Sequence, residues 1–312
     1  MMHDFYNLSQ TLQGSIFGAM GARRRQQNVQ LPALPPLVQV QGGYAESPAW
    51  MLVQAIEFDP APLTVQTVRR RAIYSSERII AGLLDLMTAA GWLDRSLDGA
   101  YRLTKDGRMM WASLSSRSAT PLANLNGELA TDVRRLVMLQ QRVIDAWLAD
   151  EARDSWCLQK SRNRAPRMET SALQKINQFS SDFNAYRDDA HMASFAGHEI
   201  SGIGWEAFSF VHDKQADSAE MLQSQLSYRG YSTAEFVQVL TDLTERGWIK
   251  AKRSDPSRYR LTEAGRQVRS SAETATDTYF YAAWRQLSAE DVEQLWQLMN
   301  DLHQELTHII TS

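Results

Sequence analysis

Apolar residues recur at three- and four-residue steps along three long stretches: Leu129, Val133, Leu136, Val137, Val143, Ile144 and Trp147; Leu173, Ile176, Phe179, Phe183 and Tyr186; and Val292, Leu295, Leu298, Met299, Leu302 and Leu306. That spacing puts each set on one face of a helix. The first set predicts a rod of roughly 28 residues beginning at Pro121, the second a helix over Met168–Arg187. The third belongs to a helical tail from Leu261 to Thr311, with Ser288 capping its last helix. Shorter apolar runs, Trp50–Phe58 and Ile200–Val211, predict short helices, as do Thr64–Ala72 and Ala219–Ser227.

Two further runs, Ile79–Ala90 and Phe236–Arg246, are each followed by the same words. Residues 91–108 and 247–266 share Gly-Trp, Tyr-Arg-Leu-Thr and Gly-Arg, at an offset of 156 for Gly91 and Gly247 and 158 for Tyr101 and Tyr259. The extra two residues fall where a hairpin tip belongs. Glycine ends the helix, Trp opens a strand, Tyr-Arg-Leu is a second strand, and Thr104 or Thr262 caps the next helix. Ser76 caps the helix before the first copy, and Ser232 with Glu235 forms a capping box before the second. Helix, turn, helix, hairpin, helix is the outline of a winged helix, and its occurrence twice predicts a structural repeat. The expected fold is therefore mainly α with small β-hairpin wings: two tandem winged helix-turn-helix modules joined by long helices.

In the second copy Asp255 and Arg258 lie in the hairpin and are followed by Leu261-Thr262-Glu263-Ala264-Gly265-Arg266. These residues resemble the wing and the start of the long C-terminal helix of the MarR family of bacterial regulators. The resemblance covers residues 219–305 and, more loosely, 50–148. The chain departs from it in being duplicated, in its long middle segment, and in lacking the Asp/Arg pair in copy one. On this basis residues 1–47 are an N-terminal arm, extended around Pro32, Pro35 and Pro36 and basic at Arg23–Arg25. Residues 48–155 form a first winged-helix domain and 156–312 a second, MarR-like one, with a basic boundary over Glu151–Arg167. The resemblance implies a DNA-binding transcriptional regulator of repressor type. Two modules in one chain would then act as a pseudo-dimer on two unlike half-sites about one helical turn apart. The alternative use of the same fold is protein–protein interaction or small-ligand sequestration.

Charge refines this picture. The chain of 312 residues has a net charge of −3, but Leu63–Arg108 carries +3 and Ala219–Val268 carries +2, against −6 from Ser271 onward. A local basic excess within the repeats suits duplex DNA as the partner. The expected contacts are Arg69, Arg70, Arg71, Ser76 and Arg78 in copy one, and Thr233, Gln238, Lys250, Lys252, Arg253 and Arg258 in copy two. The recognition-like helix of copy two holds Asp242 and Glu245 and no cation before Arg246, so phosphate attraction there falls to the wing.

No chemistry-bearing motif accompanies the fold. There is no phosphate-cradling glycine loop, nucleophile elbow or dinucleotide fingerprint, so neither an enzyme nor a cofactor is expected. His191, His198 and His212 lack metal-ligand spacing, and no metal is expected. Cys157 is the single cysteine, which excludes an intrachain disulfide and suits a reducing, cytoplasmic setting. No apolar run reaches bilayer length. Two more partners remain open: an aromatic effector against Trp205, Phe208, Phe210, Tyr279, Phe280, Tyr281 and Trp284, which core packing also explains, and a homodimer through the long apolar helices.

Overall fold

The computed structural model describes residues 4–27, 47–165 and 170–312. Among them the chain is mainly helical, with two antiparallel two-stranded hairpins. It divides into two compact units, drawn from the described parts of Met1–Pro35, Arg108–Ala190 and Thr278–Ser312 for the first, and of Pro36–Gly107 and His191–Asp277 for the second. The sequential division expected at 155/156 is not the one the contacts draw: both hairpins belong to the second unit, and the stripes of long helices build the first.

In the helical unit, α1 (Phe5–Gln26) lies along α13 (Ala289–Thr311), which also packs on α6 (Val133–Leu148). Within the arm expected over residues 1–47, Phe5–Gln26 is instead a helix with one buried face: Phe5, Leu8, Leu12, Ile16 and Ala19 join the core. Gly18 faces α13, where a Cβ would sit 2.7 Å from Ile310 Cδ1. The proline-rich remainder of the arm lies outside the described residues. The expected rod from Pro121 is divided, because α5 (Lys105–Asn126) runs through Pro121 and stops before Gly127, and Asp132 caps α6 anew, accepting from the Arg135 amide at 3.0 Å. Trp147 anchors the core; its indole donates to the Phe280 carbonyl at 2.9 Å and its ring stacks on Tyr186 at 4.4 Å.

The basic stretch taken as a boundary contains a further helix, α7 (Trp156–Asn163), set against α8 (Ala172–Ala196). Arg162 pairs with the buried Asp182 at 2.7 Å. Cys157 is buried, and its amide and that of Leu158 donate to Asp189 at 2.8 and 3.1 Å. Burial pushes the Asp189 carboxyl up to about 6 against those bonds.

The winged unit holds α2 (Pro48–Phe58), α3 (Val65–Arg71), α4 (Glu77–Ala89), β1 (Leu93–Arg95) and β2 (Tyr101–Leu103), then α9 (Gly202–His212), α10 (Ala219–Gln225), α11 (Thr233–Glu245), β3 (Ile249–Lys252), β4 (Asp255–Leu261) and most of α12 (Glu263–Tyr281). The paired helices match in length: 11 residues for α2 and α9, 7 for α3 and α10, 13 for α4 and α11. Serine or threonine caps all six: Ser47, Thr64, Ser76, Ser201, Ser218 and Ser232. No helix among the described residues is long and apolar enough to cross a membrane.

Candidate nucleic-acid interface

The repeated words build the same latch twice. Gly91 and Gly247 take left-handed backbone, φ +75° and +72°, at the ends of α4 and α11. The next amide turns back into the helix, Trp92 to the Met87 carbonyl at 3.0 Å and Trp248 to that of Leu243 at 3.1 Å. After the hairpin, Thr104 and Thr262 donate to the Gly91 and Gly247 carbonyls at 2.7 Å. Their hydroxyls accept from the amides of Gly107 and Gly265 at 3.0 Å. A Cβ on Gly107 or Gly265 would fall 2.4 or 2.2 Å from the Trp92 or Trp248 carbonyl oxygen. Glycine, tryptophan, threonine and glycine therefore form one device that fixes the wing to the helix before it and the helix after it.

On that common backbone the two wings carry different charge. Residues 93–103 hold Asp94, Arg95, Asp98 and Arg102, net zero, whereas residues 249–261 hold five cations and Asp255. Asp94 stands opposite Arg102 across β1 and β2; in the equivalent place Lys250 stands opposite Arg260, both exposed. A directly opposed like-charged pair is unfavourable unless an anion joins it. The loop before each second helix also touches its wing as a third strand. Leu63 exchanges both backbone bonds with Tyr101, and Tyr259 donates to the Asp217 carbonyl at 2.7 Å. Leu63 is buried, while Asp217 in the same position pairs with Lys252 at 2.6 Å and Arg258 at 3.1 Å. Those cations hold the Asp217 carboxyl below its ordinary value.

The helix pairs α3–α4 and α10–α11 dock through their turns. The Ser76 amide donates to the Arg229 carbonyl at 2.9 Å, and Arg78 donates to the Gly230 carbonyl and lies 3.8 Å from Glu235. Gly202 meets the Ile73 carbonyl so closely that a Cβ would lie 2.1 Å from it. Gly230, at φ +77°, leaves no room for a Cβ, which would fall 2.1 Å from Ile79 Cγ1. The starts of α4 and α11 are consequently within one arginine's reach of each other. Half-sites a helical turn apart need reading helices about 34–36 Å apart. The expected pseudo-dimer spacing is therefore corrected.

The expected contact residues are not placed alike. Ser76 is buried as the α4 cap, and Arg71 points toward the buried Glu57 at 3.9 Å. Arg69 and Arg78 line the junction, Arg69 pairing with Glu77 at 2.7 Å. Arg70, Gln238, Lys250, Arg253 and Arg258 are exposed, with Thr233 half-buried in the first turn of α11. Lys252 is half-buried against Asp217. Arg260 was not among the expected residues, although the repeated Tyr-Arg-Leu-Thr contains it and the alternation of a strand aligns it with Arg258.

A helix-turn-helix family model matches residues 183–309. The match runs from within α8 through the second module and into α13. No curated protein and no solved structure matches the chain.

Proposed function

We propose that this chain is a DNA-binding transcriptional regulator whose firmest hold on the duplex is the wing of copy two. The observation that carries this is the exposed Lys250–Arg260 pair, with Arg253 at the same hairpin, on a module matched by a helix-turn-helix family. Phosphate is the anion that relieves such a pair, and backbone contacts of this kind set affinity without reading sequence. Arg258, Arg70 and the α11 residues Thr233 and Gln238 complete the proposed surface, the last two facing bases. The repeated latch and the resemblance to MarR regulators support a duplicated winged-helix origin, and that resemblance favours repression.

A band-shift series with duplex DNA at two salt concentrations tests this. Each phosphate contact contributes about 0.9 to the slope of log affinity against log salt. The double variant Lys250→Ala/Arg260→Ala should flatten that slope by roughly two units. Failure to retain any duplex at low salt would remove DNA from the account. A second reading is favoured by α11, which carries Glu235, Asp242 and Glu245 with no cation of its own and whose Val237 is exposed: the same fold docking a protein partner.

A further inference from the structure

We infer that Arg229 is a positioning residue which locks the two modules into a single composite reading head, so that the DNA site is one uninterrupted, asymmetric stretch. This rests on the DNA reading above and adds how the two recognition helices share the duplex.

Arg229 sits on the turn between α10 and α11 and touches both modules at once. Its guanidinium makes a forked pair with Glu206, Nη2 to Oε1 at 2.7 Å and Nε to both oxygens at 3.1 and 3.2 Å. The fork fixes the guanidinium, whose central carbon lies over the Tyr228 ring of its own module and the Tyr74 ring of the other, 4.8 and 5.3 Å from the ring centroids. Nη1 reaches Ser75 Oγ at 3.4 Å, and its carbonyl accepts the Ser76 amide, the first residue before α4. Both charged side chains are only 12% exposed. Arg229 therefore faces inward and is in no position to hold phosphate itself. Lysine would supply the charge without the fork.

Two glycines show that this contact is built into the backbone. With Gly202 against the Ile73 carbonyl and Gly230 against Ile79 and Ser76 Oγ, neither position has room for any side chain. Two starts so close cannot enter successive major grooves of a straight duplex, whose centres lie a helical turn apart. Arg78 and Glu235 remain exposed at the seam, with side-chain exposures of 68% and 47%, so the first turns of both helices present one continuous strip. The strip is not self-symmetric: Glu77-Arg78 in copy one stands where copy two has Thr233-Ala234. The site it fits has no dyad.

Enrichment of duplexes from a random library by the full-length protein, followed by sequencing, tests the inference. One uninterrupted asymmetric motif is expected; two blocks a full turn apart, or a palindrome, would overturn it while leaving DNA binding intact. Arg229→Ala should then lose at least tenfold in discrimination between the enriched duplex and a scrambled one, with the salt slope unchanged. If circular dichroism finds Arg229→Ala unfolded, Tyr74→Leu removes the ring contact and should act in the same direction. Unchanged discrimination in a folded variant overturns the role of Arg229, and so does a flattened slope, which would make it a phosphate contact. Retention of no duplex at all defeats the DNA reading, and this inference with it.

Discussion

The two modules differ by a concerted exchange at their wings. Copy one has Leu63, Ser96 and Ala100 where copy two has Asp217, Lys252 and Arg258, and Asp94 opposite Arg102 where copy two has Lys250 opposite Arg260. The backbone latch is indifferent to this, because it is made of glycine conformations, one threonine hydroxyl and main-chain carbonyls. Copy one thus closes its wing with an apolar contact and a balanced pair. Copy two closes it with an ion triad and keeps surplus positive charge facing out. Backbone latch and surface charge are thus carried by different residues of each module, so one can change without the other.

Moving the carboxylate should separate the two wings most. Leu63→Asp places a charge in a buried site with no cation beside it, and should cost about 3–5 kcal/mol. Adding Ser96→Lys should return part of that loss. Asp217→Leu in copy two should cost about 1 kcal/mol or less, since the pairs it removes are partly exposed and solvent-screened. Denaturant titrations of the three variants would check this, and equal losses at the two positions would erase the distinction.

The latch should, by contrast, fail alike in both copies. Gly107→Ala and Gly265→Ala each drive a methyl into a main-chain carbonyl that has no flexible atom to yield, and each should cost about 1–3 kcal/mol. A twofold or larger difference between them in denaturant midpoint shift would argue that the two latches are not the same device.

How far the sequence reveals this depends on range. Caps and stops were legible because each is made within four residues: Ser232 with Glu235, Gly91, Gly247, and the two threonines all fall where the pattern puts them. Helix α1 was concealed by Gly14, Gly18 and Gly21 and by the arginine run, although Phe5, Leu8, Leu12, Ile16 and Ala19 already had helical spacing. None of the three breaks the helix, and only Gly18 faces α13, at Ile310. Pro121 misled in the opposite sense, since a proline marks a helix start more often than a helix interior. The junction was not legible at all: Arg229, Glu206 and Tyr74 are ordinary surface types until the fold brings residues more than a hundred positions apart together. Nor does any local pattern tie Asp217 to Lys252 and Arg258.

Charge on the wings can be exchanged to sharpen the contrast in binding. Lys250→Asp gives copy two the pair of copy one, and should weaken duplex binding about tenfold, or roughly 1.4 kcal/mol, and flatten the salt slope by roughly one to two units. Asp94→Lys should steepen it by about one if copy one also lies along the backbone. A slope that ignores Asp94→Lys confines the phosphate contacts to copy two.

The smallest expected effect is a difference in acid sensitivity. Copy two has two carboxylates held low that copy one lacks: Asp217, through its bond to Lys252 and the nearby Arg258, and Glu235, whose first cause is its bonds to Ser232 in the capping box. A carboxylate with a folded pKa below its unfolded value contributes stability that is present above the unfolded value, near 3.9 for Asp and 4.3 for Glu. That contribution is lost as pH falls through the lower, folded pKa. Copy two should therefore lose stability relative to copy one below about pH 4, and both groups are exposed enough that the loss is a fraction of a full charge pair. Asp217→Asn should remove part of the difference while leaving the neutral-pH fold in place. Hydrogen exchange resolved by peptide, comparing α4 with α11 at pH 6 and pH 3, reads it directly. Equal protection of the two helices at pH 3, in a chain where both were protected at pH 6, would mean that the ion triad contributes no stability to copy two.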